Sequence, residues 1–249
     1  MGTVYLVGAG PGAPDLLTLR AARLLERADV VLYDALVHPE VVALAERARR
    51  IPVGKRCGKH STAQRFINRM LVEFGRDYPV VVRLKGGDPL LFARAREEMD
   101  ALDAAGIQYE VVPGITAALA AAASLKTPLT ERGSARSVTF ATPSRGEDAS
   151  DNLDWAGPAR SMMLYMASRD AERVAKNLLE LGFSADTPVV VVENASLPGE
   201  RQHTTVLRDL SDFAGEQLSG PALVCVGEVF RGVASRSVQP AVPLQRARA

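Results

Sequence analysis

Cysteine and histidine are scarce in this sequence of 249 residues, which contains two cysteines and three histidines. Cys57 and Cys225 lie far apart, so a disulfide framework is excluded and a reducing compartment is favoured. The histidines are scattered, and no Cys/His cluster has the spacing of metal ligands, so we predict no metal site. These absences make a cytoplasmic enzyme the default expectation.

Long apolar runs and a strong charge of one sign are also missing. No apolar stretch is long enough to cross a bilayer, and the first residues lack the basic region and apolar core of a signal peptide. The formal net charge of +1 argues against a dedicated nucleic-acid or membrane-surface binder. With 47% hydrophobic and 24% charged residues, the composition is that of a globular protein of one large or two ordinary domains.

The chain is organised around residues 80–92. An apolar, β-branched run at residues 80–84 predicts a buried strand, and Gly86, Gly87 and Asp88 follow it closely. Glycine lets the backbone approach a ligand, Asp88 can accept hydrogen bonds from one, and ligands of open α/β sheets lie at the carboxyl ends of strands. The alternative is a tight turn without a ligand, because Gly-Asp-Pro is ordinary turn chemistry.

A glycine-rich loop at residues 8–13 follows the first predicted strand and partly fits the dinucleotide-binding fingerprint. Asp34 stands at the end of the second predicted strand, at about the spacing which that fingerprint requires. A Rossmann-type NAD-dependent dehydrogenase is therefore an alternative. Against it, Pro11 interrupts the loop and Pro14 delays the helix, whereas the pyrophosphate site needs a helix N-terminus directly at the glycines.

Composition shifts predict two α/β domains. Residues 1–142 form an N-terminal domain with the glycine-rich loop and a basic loop, and residues 159–238 form a C-terminal domain. The polar, Gly- and Pro-containing residues 143–158 read as a linker. Residues 239–249 are predicted to be a flexible tail.

Many short motifs follow one another in a characteristic order. They are Gly8-Ala9-Gly10-Pro11-Gly12, Tyr33-Asp34, Gly54-Lys55-Arg56 with Gly58, His60, Ser61 and Gln64, Val82-Arg83-Leu84-Lys85-Gly86-Gly87-Asp88-Pro89, Val112-Pro113-Gly114-Ile115-Thr116, Pro128-Leu129-Thr130, Tyr165-Met166, Val192-Glu193-Asn194 and Gly220-Pro221-Ala222-Leu223. Together this set resembles the tetrapyrrole methylases, over nearly the whole chain. The basic loop, with Gln64 after it, points to the branch that acts on uroporphyrinogen III.

The resemblance implies two α/β domains with S-adenosylmethionine in a cleft between them, and a homodimer as the active form. It also implies a C-methyltransferase that moves two methyl groups, one per cofactor molecule, onto uroporphyrinogen III. The product, precorrin-2, leads to sirohaem, cobalamin or haem d1. The partner is then a small-molecule tetrapyrrole, without nucleic acid or membrane.

The resemblance also implies roles for individual residues. Asp34 matches the position proposed as general base, and Lys55 matches the one proposed as proton donor. Alternatively, Asp34 only binds or caps, and Lys55 only pairs with a substrate carboxylate. Because the substrate carries many carboxylates, Arg56, His60 and Arg132 are candidate clamps through charge-assisted hydrogen bonds. The positions that match the S-adenosylmethionine contacts are Pro11, Gly86, Gly87, Asp88, Leu91, Thr116, Ala117, Met166, Ala195 and Ala222.

The sequence departs from the family pattern in three places, one of which is Thr142-Pro143-Ser144 in place of a common Thr-Gly-His. Where the family usually reads Phe-Gly-Arg-Gly-Gly-Glu-Glu, this chain has Ala93, Ala95 and Arg96 in place of the three glycines. Such replacements matter if the glycines serve close approach or unusual backbone angles. Glu131 stands where histidine is usual, and would repel an anionic substrate unless Arg132 pairs with it. These departures leave open a divergent precorrin methylase or an impaired paralogue.

Overall fold

The computed structural model describes residues 2–54, 64–133, 135–143, 161–213 and 218–233. Contacts between Cα atoms divide the chain into two compact units, Met1–Ala117 and Ala118–Ala249. Each unit has its own sheet. The α/β fold class predicted from the sequence is confirmed, whereas the ligand cleft between the domains stays a prediction.

The described part of the first unit alternates strands with helices. In chain order these are β1 (Thr3–Gly8), α1 (Leu19–Arg27), β2 (Val30–Tyr33), α2 (Pro39–Ala43), β3 (Arg49–Pro52), α3 (Gln64–Asp77), β4 (Val80–Lys85), α4 (Ala95–Ala104) and β5 (Gln108–Val112). The strands pair in the order β3-β2-β4-β1-β5, and every pairing is parallel. All five carboxyl ends therefore lie along one edge of the sheet. The candidate site residues of this unit were predicted at these strand ends.

Alternate residues of β4 face two different cores, as the period of two in a strand requires. Val82 and Leu84 pack in a cluster with Leu25 of α1. Val81 packs on the other face with Leu71 of α3. A parallel sheet covered on both faces has strands that are apolar throughout, and this is why the run at residues 80–84 could be recognised.

The connectivity of the first unit differs from that of a Rossmann domain. The Rossmann order is 3-2-1-4-5-6, whereas here β4 lies between β2 and β1. The chain after β1 first forms a short 3-10 helix, Pro14–Leu16, and α1 begins only at Leu19. The delayed helix predicted from the prolines is confirmed, and both features count against the dehydrogenase alternative.

The second unit contains a mixed sheet. Its elements are α5 (Ala117–Ser124), β6 (Thr139–Ala141), β7 (Met162–Tyr165), α6 (Ala171–Glu180), β8 (Pro188–Glu193), β9 (Arg201–Val206) and β10 (Ala222–Val226). Short 3-10 helices occur at Ser168–Asp170, Leu207–Phe213 and Glu228–Phe230. The strand order is β6-β7-β10-β8-β9. The pairing of β6 with β7 is parallel, and the other three pairings of neighbouring strands are antiparallel.

The division into units falls earlier than the boundary predicted at residue 142. Small residues of α5, among them Ala118 and Ala121, belong to the core that contains Val190 and Leu223. All of α5 except its first residue, Ala117, therefore belongs to the second unit. Most of the predicted linker and all of the predicted tail lie outside the described residues. Among the helices that are described, none has the length and apolar character needed to span a membrane.

Candidate functional site

Three glycine-containing turns meet at the carboxyl edge of the first sheet. Gly10 and Gly87 exchange two backbone hydrogen bonds, of 3.2 Å and 2.7 Å. A Cβ atom added to Gly114 would lie 2.3 Å from the carbonyl oxygen of Gly87 and 2.8 Å from Cα of Gly8. Only glycine permits this approach of backbone to backbone. The turns after β1, β4 and β5 are therefore packed directly against one another.

Asp88 ties two of these turns together. Its Oδ1 atom accepts a hydrogen bond from the backbone N–H of Leu90 at 2.8 Å, and its Oδ2 atom accepts one from the N–H of Gly114 at 3.0 Å. The carboxylate thus fixes the corner after β4 against the corner after β5. Its predicted contact with a ligand stays a prediction, and each oxygen retains a further lone pair for it.

The other cofactor positions predicted in this unit lie around the same corner. Gly87 has φ +68°, and the atom nearest to an added Cβ would be Cα of Thr116, at 3.9 Å. Thr116 is buried, whereas Pro11, Leu91 and Ala117 are half-buried. The corner therefore offers half-buried glycines beside small or half-buried side chains, which suits a small-molecule ligand.

A buried ionic network lies beneath Asp34. The Nη2 atom of Arg83 donates to Oδ1 of Asp34 at 2.7 Å, and its Nε atom donates to Oε1 of Glu98 at 3.0 Å. The Nζ atom of Lys85 donates to both oxygens of Glu98 at 2.9 Å. Asp34 is 28% exposed, but the other three side chains are 3% exposed or less. Two cations and two anions therefore balance.

The pKa values of the two cations of this network shift in opposite directions. Burial lowers the pKa of Arg83, but attraction to Asp34 and Glu98 outweighs it, so the pKa lies above its usual value. Burial lowers the pKa of Lys85, and the neighbouring charge of Arg83 lowers it further, so that despite Glu98 the value lies below the usual one. Arg83 is thus the permanent cation of the network.

The predicted basic loop lies largely outside the described residues, as do its candidates Lys55, Arg56 and His60. The first residue described after it is Gln64, at the start of α3. Its Nε2 atom donates to Oε1 of Glu98 at 3.2 Å and to Oδ1 of Asn68 at 2.9 Å. The start of α3 is therefore hydrogen-bonded to the ionic network through Gln64.

In the second unit, Met166, Ala195 and Ala222 lie at one edge of the sheet. Met166 follows β7 and Ala195 follows β8, while Ala222 begins β10, which runs antiparallel to both. The register pairs Ala222 with Glu193, so the start of β10 meets the ends of its neighbours. Met166 is 50% exposed and has φ +55°, a conformation that costs free energy in a residue with a side chain.

Glu193 holds this second edge together. Its carboxylate accepts hydrogen bonds from Nε of Arg201 at 2.7 Å, from the N–H of Ser219 at 2.6 Å and from the N–H of Gly220 at 2.7 Å. Burial raises the pKa of Glu193, but these hydrogen bonds outweigh it and hold the pKa below its usual value. An added Cβ on Gly220 would lie 2.0 Å from Oδ1 of Asn194, so a larger residue there would have to displace the Asn194 side chain.

Tyr165 was not among the predicted residues, although it precedes Met166. Its hydroxyl oxygen accepts a hydrogen bond from the backbone N–H of Ala118 at 3.1 Å. Its ring meets that of Phe140 edge to face, with the centroids 6.3 Å apart. Tyr165 therefore fixes the first turn of α5 next to the end of β7.

A cavity of about 450 Å³ lies elsewhere in the first unit. Its lining includes Arg20, Arg23 and Arg27 of α1 and Glu110 of β5, and an ion pair joins Arg20 to Glu110. None of the predicted site residues lines it. The chemistry-bearing residues lie at the strand ends instead, so we place the candidate site there.

Comparison with known proteins assigns the chain to a family. The profile of the Tetrapyrrole (Corrin/Porphyrin) Methylases matches residues 3–211. This chain is a tetrapyrrole methylase. The resemblance inferred from the motifs is confirmed.

Individual tetrapyrrole methylases are similar over most of this chain. A uroporphyrinogen-III C-methyltransferase of Paracoccus denitrificans is 47% identical over 92% of this chain and 82% of its own length. A siroheme synthase of Azotobacter vinelandii is 47% identical over 93% of this chain, which spans only 51% of that protein. The solved uroporphyrin-III C-methyltransferase of Thermus thermophilus, complexed with S-adenosylhomocysteine, has a TM-score of 0.82 and 41% identity, covering 92% of this chain and 99% of that one.

The glycines that this methylase lacks are not required by its backbone. The positive φ angles of the segment belong to Phe92 (+53°) and Arg94 (+55°), and not to Ala93, Ala95 or Arg96. Ala95 is buried, and the side chain of Arg96 is 85% exposed. Alanine and arginine therefore fit these positions without the strain that a positive φ would bring.

The second departure lies in an exposed part of the chain. Glu131 exchanges two backbone hydrogen bonds of 2.9 Å with Ala135, and the candidate clamp Arg132 is exposed beside it. An exposed arginine can reach an anionic ligand, so the proposed clamp stays a prediction.

Sequence reasoning named Arg83 and Glu98 only as parts of motifs or departures. The signals for a role were present. Arg83 and Lys85 share one face of a strand that is otherwise apolar, and Glu98 occupies a core position of α4, between Ala95 and Leu102 at helical spacing. Charged residues at core positions are almost never buried unless they are paired, so three of them on facing elements predict an ionic network.

Proposed function

We propose that this chain is an S-adenosylmethionine-dependent C-methyltransferase that converts uroporphyrinogen III to precorrin-2 by two successive methylations. The observation that carries the proposal is the corner at the first sheet, where the half-buried residues Gly86, Gly87 and Asp88 follow β4. Asp34 follows the neighbouring strand, β2, at the same edge. The similarity to a uroporphyrinogen-III C-methyltransferase across most of both chains supports the choice of substrate.

In each unit taken by itself, the residues proposed to bind the cofactor have suitable chemistry. Bound S-adenosylmethionine supplies an activated methyl group on its sulfonium sulfur. The half-buried backbone of Gly86 and Gly87 can bind its polar groups. In the second unit, Met166 and Ala222 offer accessible apolar surface of the kind that suits an adenine ring. The shape of the glycine corner depends on Gly114, because an added Cβ there would collide with the carbonyl oxygen of Gly87.

The acceptor is an electron-rich pyrrole carbon, so the protein needs mainly to align two reactants and remove one proton. We assign proton removal to Asp34, whose carboxylate is part-exposed at the end of β2. Lys55 is the proposed proton donor. Arg56, His60 and Arg132 are proposed to bind substrate carboxylates, since charge-assisted hydrogen bonds are about twice as strong as neutral ones.

The test is mass spectrometry of the tetrapyrrole product. Purified protein, S-adenosylmethionine and anaerobic uroporphyrinogen III should give a product with two added methyl groups. The Asp34→Asn variant should bind S-adenosylhomocysteine as the wild type does but give little product. A wild-type protein that leaves uroporphyrinogen III unmethylated would overturn the proposal.

Thermal unfolding separates cofactor binding from substrate choice. S-adenosylhomocysteine at about a hundredfold excess over its Kd should add about 2.7 kcal/mol to the free energy of unfolding. Nicotinamide dinucleotides should add nothing. Stabilisation by a nicotinamide dinucleotide alone would favour the dehydrogenase alternative.

A second candidate is a methylase of a different precorrin. Glu131, exposed where the family usually has histidine, favours it, because a carboxylate there changes the charge that an anionic substrate meets. Parallel assays with uroporphyrinogen III and with methylated precorrins decide between the candidates. Methylation of precorrins alone would favour the second.

We further propose that the protein is a homodimer and acts in the cytoplasm, without nucleic-acid partners. The resemblance to the family supports the dimer, the scarcity of cysteine supports a reducing compartment, and the net charge of +1 gives nucleic acid little to bind. Light scattering of the purified protein measures the oligomeric state, and a monomeric mass would contradict the dimer.

A further inference from the structure

The face of the first sheet that meets α3 and α4 contains charges where a core would be apolar. Val81, Arg83 and Lys85 share this face of β4, and Val30 and Leu32 share it on β2. Asp34 continues the same alternation one step beyond β2, and Leu32 pairs with Arg83 in the register. Backbone geometry thus brings the carboxylate of Asp34 to the guanidinium of Arg83.

Arg83 is fixed on several sides. Besides Asp34 and Glu98, it donates through Nη1 to the backbone oxygen of Leu84 at 3.2 Å, with Leu32 O at 3.5 Å. Its planar guanidinium can make these bonds simultaneously only in one orientation. Glu98 is held in turn by Lys85 and Gln64. The position of Asp34 is therefore set from inside the protein.

We propose that Arg83 is a positioning residue for Asp34, and that Glu98 and Lys85 hold Arg83 in the orientation that aims the Asp34 carboxylate at the substrate. The inference rests on the proposed function, in which Asp34 removes the proton. Buried ion pairs are weak evidence for stability, because desolvation offsets much of their attraction. The network costs desolvation free energy, and it lies at Asp34, the one predicted catalytic carboxylate among the described residues. We therefore infer that its function is to orient this carboxylate.

The decisive variant is Arg83→Lys, which keeps the charge but loses the fork that reaches Asp34 and Glu98 together. We expect kcat to fall about tenfold to a hundredfold, the range for a catalytic group that is misplaced by about 1 Å. KM for uroporphyrinogen III and Kd for S-adenosylhomocysteine should stay within about twofold, because the interaction lost acts in the transition state. A merely structural role would instead lower activity and cofactor binding together, in proportion to the folded fraction.

Glu98→Gln provides a second variant, and Glu73→Gln is its matched control. Glu73 forms an exposed ion pair with Arg69 on α3, so its variant removes the same charge without touching the network. Glu98→Gln should lower kcat by less than Arg83→Lys does, since the amide oxygen still accepts from Nε of Arg83, and Glu73→Gln should leave kcat unchanged. Wild-type kcat in both network variants would overturn the proposal.

A crystal structure of Arg83→Lys gives a readout that does not depend on activity. The Asp34 carboxylate should rotate away from its place in the wild type, where Arg83 holds it at 2.7 Å. If the wild type fails to methylate uroporphyrinogen III while Asp34 still moves in the variant, the proposed function fails and the positioning role stands. An unmoved Asp34 would overturn the positioning role, whatever the substrate is.

Discussion

Among the described residues, each unit buries one glutamate completely, and the two units hold it in different ways. Glu98 in the first unit is surrounded by the side-chain cations Arg83 and Lys85, both buried. Glu193 in the second unit receives two backbone N–H groups and the side chain of Arg201, which is 47% exposed. A carboxylate paired with buried cations depends on charge balance, whereas one bound by backbone donors depends on the loops that carry them.

The largest effect is expected for Glu98→Gln. It leaves two buried cations with Asp34 as their main counter-charge, and breaking a buried pair costs about 3–5 kcal/mol. Urea unfolding at neutral pH measures the loss. The control Glu73→Gln should change the free energy of unfolding by less than about 0.5 kcal/mol, as exposed pairs do. A loss of similar size in both variants would show that charge balance inside the network does not matter.

The double variant Lys85→Met/Glu98→Gln should recover much of that loss. It removes one charge of each sign, so Arg83 and Asp34 remain as a balanced pair. Coupling energies between contacting residues reach about 0.5–3 kcal/mol, and we expect a value in the upper part of this range from the double-mutant cycle. Additive losses would contradict the charge-balance account of the first unit.

Glu193→Gln should cost less, about 1–3 kcal/mol. The amide oxygen can still accept from Ser219 or Gly220, and the exposed part of Arg201 can turn to water, so what is lost is the strength of charged hydrogen bonds. Unfolding in urea measures the cost. A loss larger than that of Glu98→Gln would reverse the comparison between the two units.

The smallest expected effect is a pH dependence of the stabilisation that Glu193 contributes to the free energy of unfolding. The pKa of Glu193 lies below its ordinary value of 4.5, so its ionised form stabilises the folded state above that pH. The contribution is lost as the pH falls through the lower pKa of the folded state. The difference in unfolding free energy between wild type and Glu193→Gln should therefore be constant near neutral pH and shrink below pH 4.5. A difference that grows on acidification would contradict the sign of the shift.

The strands and the candidate positions of the first edge could be predicted because each has a local signature. The run at residues 80–84 is apolar and β-branched, and the glycines after it mark the corner that the structure forms. The division between units could not be read in the same way. Helix α5 is rich in alanine. No feature of its own sequence predicts that its small side chains pack into the core with Val190 and Leu223.

The contacts of Asp88 and Asp34 also escaped sequence reasoning. The two oxygens of Asp88 accept hydrogen bonds from the backbone of Leu90 and Gly114, and its predicted contact with a ligand stays a prediction. Asp34 was placed correctly at a strand end, but its partner Arg83 is 49 residues away. The pairings of Asp88 with Gly114 and of Asp34 with Arg83 follow from register and strand order, which no single segment specifies.

By itself, the sequence determined the α/β class, the family, and the set of turns that follow the strands, because hydrophobic period and glycine placement act over a few residues at a time. The tertiary structure alone decided that β4 lies between β2 and β1, and with it that Arg83 stands between Asp34 and Glu98. The physical reason is that a buried charge is tolerated only where several distant elements bring its partners together, and that assembly exists only in the folded chain.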